Sequence, residues 1–84
     1  MAETHQAISK KEAQLREILS SEILEIPADF DISADLFEAG LDSMSIMRLL
    51  IQIEKAFGCR IAIAQVNREN FSTISKIATL IPAE

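Results

Sequence analysis

One serine in this sequence has neighbours that suit it for chemistry. Ser43 directly follows Asp42 in the stretch FEAGLDSMS, which starts at Phe37, and a long apolar run comes after it. A glycine followed by an Asp-Ser pair is typical of a helix start, where Asp42 as N-cap accepts hydrogen bonds from backbone N–H groups. A phosphodiester on Ser43 would meet the positive end of the helix dipole. Ser43 is therefore either an ordinary helix-start residue or an attachment point.

The sequence offers few groups for catalysis or metal binding. The one histidine, His5, is close to the N-terminus, and nothing brings it to Ser43 for a Ser-His-Asp arrangement. An acidic loop contains Asp29, Asp31 and Asp35, but it lacks the glycine and the bidentate glutamate that a calcium-binding loop requires. We therefore expect no catalytic residue and no metal site, and we interpret the chain as a substrate of other enzymes.

Composition narrows the classes of function further. The chain has 84 residues, of which 49% are apolar, so we expect one small domain over residues 1–84 with its core at about residues 7–81. The net charge of −5 disfavours nucleic-acid binding. No signal peptide or apolar run of the ~20 residues that span a membrane is present, and Cys59 is the single cysteine. We predict a cytoplasmic monomer in which Cys59 is half-buried.

Helices must position Ser43, because apolar residues recur at three- and four-residue spacing. We predict a first helix from about Thr4 to Glu25, which Pro27 ends. Residues 26–42 form a long connection whose apolar side chains place it on the core. A second helix is predicted from Asp42-Ser43 to Phe57, with Gly58 as its left-handed cap.

The remaining third of the chain is less regular in pattern. The stretch from Cys59 to Asn70 indicates an extended bend and a short turn of helix, although the alternation of Ile61 and Ile63 leaves a short strand open. A last helix is predicted from Ser72 or Thr73 to Leu80. The sequence therefore predicts an all-α fold of three main helices, one minor helical turn and a long first loop.

The second helix carries two apolar stripes. One supplies a core-facing arc formed by Ile46, Leu49, Leu50, Ile53 and Phe57. The other, Met44, Met47 and Ile51, has the spacing i, i+3 and i+7, and a small bundle cannot easily bury it as well. An exposed apolar stripe that begins beside Ser43 predicts a partner-docking surface, and its methionines suit more than one partner. The alternative is that all three side chains pack in the core.

With these features, residues 8–81 resemble the acyl and peptidyl carrier proteins. The most specific part is the series Asp35-Leu36-Phe37-x-x-Gly40-Leu41-Asp42-Ser43-Met44, then Leu49-Leu50-x-x-Ile53-Glu54-x-x-Phe57-Gly58-x-x-Ile61. The resemblance implies a small four-helix bundle with a short third helix. It implies that Ser43 accepts 4′-phosphopantetheine from coenzyme A through a Mg²⁺-dependent phosphopantetheinyl transferase, and that the arm holds an acyl or aminoacyl thioester.

The same resemblance assigns roles to the neighbours of Ser43. Asp42 would help the transferase to recognise the site. Partner enzymes, namely a loading enzyme and a downstream synthase or transferase, would bind the face formed by Met44, Met47, Arg48 and Ile51. Leu49, Leu50, Ile53, Phe57 and Ile61 would belong to the core.

Two departures from the fatty-acid carriers bear on the cargo. Their second helix is strongly acidic, whereas here Arg48 and Lys55 balance Asp42 and Glu54. Residues 66–74 also form a longer segment than the usual short third helix. We therefore predict a stand-alone carrier in a specialised pathway, for polyketide, nonribosomal-peptide or aminoacyl transfer. Two alternatives are a carrier of fatty-acid intermediates and an unmodified module that binds partners through Met44, Met47 and Ile51.

Overall fold

Every regular element is helical in the residues that the computed structural model describes, 8–82. In chain order, the elements are α1 (Lys10–Ile18), a π-helical turn (Leu19–Ile23), α2 (Ser43–Phe57), a 3₁₀ turn (Ile63–Gln65) and α3 (Ile74–Thr79). The predicted all-α class is confirmed. The short third helix is a single 3₁₀ turn, and the alternative strand at Ile61 and Ile63 is not formed.

The first helix begins later than predicted: residues 8 and 9 are not helical, and the predicted start at about Thr4 lies outside the described residues. Its helical turns end at Ile23, two residues before the predicted end at about Glu25. Ser9 is the N-cap, because its Oγ accepts a hydrogen bond from the Glu12 N–H at 3.0 Å, and a Glu12 carboxylate oxygen accepts from the Ser9 N–H at 2.9 Å. At the other end, the helix widens into the π-helical turn and closes at Leu24, whose backbone is extended. The chain thus leaves the helix three residues before Pro27.

The core is one cluster of side chains to which α1, α2, α3 and the loops all contribute. Fully buried side chains come from all three helices and from both loops: Leu15, Leu19, Leu36, Leu49, Ile53, Phe71, Ile74 and Ile77. Ile61 is also buried, while Leu50 and Phe57 are partly buried and pack against this cluster. The predicted core-facing arc of the second helix is therefore confirmed.

The long connection between the first and second helices is fixed to the start of α3. The Leu36 N–H donates to the Ser72 carbonyl oxygen at 2.7 Å, and the Ser75 N–H donates to the Ile32 carbonyl oxygen at 3.1 Å. Leu36 and Leu41 are buried, as their apolar character predicts. Since this loop ends at Asp42, the hydrogen bonds to α3 also set the position of the α2 N-terminus.

Candidate functional site

Ser43 is the first residue of α2, and its side chain is exposed. Just before it, Gly40 turns the chain with φ 112°, a conformation that other residues rarely adopt. Leu41 follows and is buried in the core. The buried Leu41 anchors the start of the helix, so Ser43, two residues later, is held at the surface with its hydroxyl accessible. The predicted helix start is confirmed.

The Asp42 carboxylate closes the first turn of α2. Its Oδ1 accepts a hydrogen bond from the Ser45 N–H at 2.9 Å, and its main-chain oxygen accepts from the Ile46 N–H at 2.8 Å. The hydrogen bond from Ser45, with a smaller contribution from the Met44 N–H, holds the pKa of Asp42 below its usual value, because these donors favour the ionised carboxylate. An anion therefore already occupies this helix end. Of the free N–H groups that the sequence predicts for a phosphodiester, the Ser45 N–H is therefore already engaged by Asp42.

A cleft of about 370 Å³ opens beside Ser43. Its lining comes from the loop before α2, from α2 and from the segment after the 3₁₀ turn: Phe37, Ser43, Ile46, Met47, Val66, Asn67 and Arg68. The Arg68 guanidinium lies over the Phe37 ring, 4.3 Å from the ring centroid. The cleft thus combines an apolar wall, an exposed hydroxyl and a cation, and its shape leaves room for a group attached to Ser43.

The second apolar stripe of α2 is exposed to solvent. Met44 is 74% exposed, Met47 63% and Ile51 55%. The alternative that these three side chains pack in the core is therefore wrong. Their binding to a partner stays a prediction.

Ile63 extends the apolar surface beyond α2, and the sequence did not single it out for this role. Its side chain is 83% exposed. It lines a groove of about 270 Å³ between α2 and the 3₁₀ turn, together with Met47, Ile51 and Arg60 among others. No signal in the sequence indicated this exposure, because alternation in an extended chain would place Ile63 on the same face as the buried Ile61. The 3₁₀ turn that begins at Ile63 ends that alternation.

Arg48 has a structural contact as well as an exposed position. Its guanidinium donates to the Glu22 carbonyl oxygen at 2.8 Å, at the end of the π-helical turn. Arg60 forms an ion pair with Glu54 at 3.1 Å. Arg48 thus connects the first helix to α2, and its predicted role toward a partner enzyme is not tested by this contact.

The other candidate groups lie apart from Ser43. His5 is outside the described residues. In the acidic loop, Asp31 and Asp35 each accept a backbone N–H at 2.8 Å, from Ser33 and Phe37, so they stabilise turns. Residues 8–82 contain no cluster of three or more side chains suited to a metal ion. Nor does any helix in that range have the length and apolar character to cross a membrane.

Comparison with known proteins gives one family. The family described as phosphopantetheine attachment site matches residues 13–81, which include Ser43 and the whole cleft. The D-alanyl carrier protein of Streptococcus sanguinis is 33% identical over 66 residues, covering 77% of this chain and 82% of the relative. That of Lactococcus lactis subsp. cremoris is 38% identical over 52 residues, covering 61% and 66%.

Solved structures agree with this family. The chain is similar to a carrier protein from Agrobacterium tumefaciens, crystallised with an engineered Bradyrhizobium japonicum glycine:[carrier protein] ligase and ATP. The TM-score is 0.74 and the sequence identity 34%, over 84% of this chain and 95% of that one. A glycylated carrier protein in complex with the Bradyrhizobium japonicum ligase shares the fold, with a TM-score of 0.63 and 24% identity.

Proposed function

This chain belongs to the phosphopantetheine-attachment family of carrier proteins, and we propose that it carries aminoacyl groups on an arm attached to Ser43. Proteins of this family bear 4′-phosphopantetheine covalently. The observation that supports Ser43 most strongly is its place as an exposed hydroxyl at the first residue of α2, inside the matched segment and beside a cleft. We also propose that the chain is a substrate of partner enzymes and has no catalytic activity of its own.

The proposed attachment is a phosphoryl-group transfer. The Ser43 Oγ forms a bond to the phosphorus that bears the pantetheine of coenzyme A, and 3′,5′-adenosine bisphosphate leaves as the bond to its oxygen breaks. The hydroxyl proton passes to a base on a phosphopantetheinyl transferase, which also supplies Mg²⁺. Once attached, the arm supplies a terminal thiol that holds the cargo as a thioester. Tethering keeps the cargo at high effective concentration near each docked enzyme.

Aminoacyl cargo is favoured by the relatives and by the charge of α2. The relatives named above are D-alanyl carriers, and the similar solved structure contains a glycine ligase. From residue 42 to residue 57, two acidic and two basic side chains cancel. A helix with no net charge offers little electrostatic attraction to an enzyme with a basic docking patch. Fatty-acid intermediates are therefore our second candidate for the cargo.

The proposed docking surface is the exposed stripe formed by Met44, Met47 and Ile51, extended by Ile63. Met47 joins this surface to the cleft beside Ser43, because its side chain lines both the cleft and the neighbouring groove. An enzyme that covers the stripe would bring its active site near Ser43. If Ser43 is not modified, the same exposed stripe supports the second candidate function, a module that binds its partner directly.

The attachment is tested by intact mass after incubation with coenzyme A, Mg²⁺ and a broad-specificity phosphopantetheinyl transferase. We expect a gain of one phosphopantetheine unit in the unmodified sequence and none in Ser43→Ala. Ser45→Ala is the matched control: it removes a hydroxyl two residues away but keeps the backbone N–H that Asp42 accepts, so it should gain the unit. No gain with several transferases would contradict the attachment and favour the unmodified module. A gain in Ser43→Ala would also contradict it, because the arm would then be attached to another residue.

A further inference from the structure

The cleft beside Ser43 contains a cation that the proposed attachment chemistry does not use. Arg68 lies outside α2, yet its guanidinium reaches the same cleft as Ser43 and is held over the face of Phe37. Within residues 8–82, the ion pair that the structure contains joins Arg60 to Glu54, so no carboxylate in that range pairs with Arg68. Stacking on Phe37 orients the guanidinium and leaves its N–H groups available for an anion.

The charge at the start of α2 explains why a cation is needed there. Asp42 carries a negative charge and already accepts the Ser45 N–H. A phosphodiester on Ser43 would place a second negative charge on the next residue, where Asp42 has already engaged one N–H of the first turn. Like charges at this spacing repel, and a nearby guanidinium offsets that repulsion. Arg68 is the cation that lines the cleft.

The rest of the lining suits the part of the arm next to the phosphate. That part is a branched dimethyl group followed by an amide. Phe37, Ile46 and Val66 are partly buried apolar residues that pack against the core, and each lines the cleft. Apolar burial of the two methyl groups is worth on the order of 25 cal/mol per Å² of covered surface. The cleft therefore matches an occupant with an anion at one end and a small apolar group beside it.

We propose that this cleft seats the first part of the chain's own phosphopantetheine arm, with Arg68 paired to the phosphodiester and the dimethyl group packed on Phe37 and Val66. This inference rests on the proposed attachment at Ser43. Because attachment is covalent, the effective concentration of the arm at the cleft is high, and even weak contacts populate the seated state. The far part of the arm, with the thiol and its cargo, extends past the cleft.

Met47 gives the seated arm a consequence for transfer. Its side chain lines the cleft on one side and the groove toward Ile63 on the other. A partner that docks on the exposed stripe would therefore contact a side chain that also borders the seated arm.

The test uses the full chain, first shown by mass to carry the arm, which separates failure of attachment from failure of seating. We expect nuclear Overhauser contacts from the arm's dimethyl protons to Phe37 and Val66. Arg68→Gln should lower the ratio of seated to free arm roughly two- to fivefold, as for an exposed charge pair, and should weaken those contacts. Arg60→Gln is the matched control, because it removes an exposed arginine outside the cleft, and it should leave the contacts intact.

Two results would overturn the proposal. The first is a modified chain whose dimethyl protons show no contact with Phe37 or Val66 and whose relaxation matches that of a free arm. The second is an Arg68→Gln variant that keeps the same contacts and the same phosphorus chemical shift as the parent chain. Circular dichroism of both arginine variants should match the parent, since both side chains are exposed.

Discussion

The two apolar faces of α2 have similar composition and opposite surroundings. Leu49 and Ile53 on one face are fully buried in the core, while Met47 and Ile51 on the other are more than half exposed. Helical periodicity assigns these residues to two faces of α2. The packing of the other elements decides which of the two faces is buried. The buried face should therefore determine stability, and the exposed face should determine docking, so that substitutions on one helix separate the two properties.

The largest expected effect comes from the buried face. Leu49→Ala removes a fully buried side chain from a small core, so we expect the free energy of unfolding to fall by about 2–5 kcal/mol. For a small domain this is a large fraction of total stability. Urea unfolding followed by circular dichroism measures it. A loss below about 0.5 kcal/mol, the range typical of surface sites, would mean that the two faces do not differ as described.

The end of α2 gives a smaller expected effect that belongs to neither face. Gly58 has φ 68°, and nothing crowds the position of a Cβ there, so Gly58→Ala introduces backbone strain without a steric clash. We expect a loss of about 1–2 kcal/mol in the same urea experiment. Ala56→Gly is a useful comparison, because it changes an exposed helical residue two positions earlier. An unchanged midpoint for Gly58→Ala would contradict the left-handed cap.

The start of α2 predicts a pH dependence. Hydrogen bonding lowers the pKa of Asp42 in the folded chain, so its contribution to stability is complete above the unfolded pKa and is lost as pH falls through the folded value. Asp42→Asn keeps an oxygen acceptor but removes the charge. The parent should be more stable than this variant at neutral pH, and the difference should disappear well below the ordinary value of 3.8. A difference that persists in acid would place the cause elsewhere.

The smallest effect on stability is expected on the exposed face. Met47→Ala removes a side chain that is 63% exposed, so the free energy of unfolding should change by less than about 0.5 kcal/mol. The rate of cargo loading by a partner enzyme should nevertheless fall. A large loss of stability would place Met47 in the core and remove the contrast between the faces.

The dependence of partner binding on salt concentration also tests the difference between the two faces. Because the charges of residues 42–57 cancel, partner binding should depend weakly on ionic strength. Titration of a loading enzyme at low and high salt measures the dependence. A steep loss of binding with added salt would mean that charges, and not the apolar stripe, dominate docking.

The sequence predicted α2 well because its ends carry local signals. Asp42 caps one end and Gly58 the other, and both act within a few residues of themselves. The first helix was predicted poorly because its Ser9-x-x-Glu12 capping box was overlooked and because the π-helical turn has no clear local signal. The contact of Arg68 with Phe37 joins residues that are far apart in sequence, so spacing could not reveal it.

The account's central claim is that Ser43 carries aminoacyl cargo. The most direct test incubates the phosphopantetheine-bearing chain with ATP, Mg²⁺, an aminoacyl:[carrier protein] ligase and either glycine or D-alanine, and reads the intact mass. Parallel reactions replace the amino acid with fatty acids and the aminoacyl ligase with an acyl ligase, and they are read by intact mass in the same way. We predict a gain of one aminoacyl unit that hydroxylamine removes, as expected of a thioester, and no gain in Ser43→Ala. Loading by fatty acids but by neither amino acid would contradict the claim.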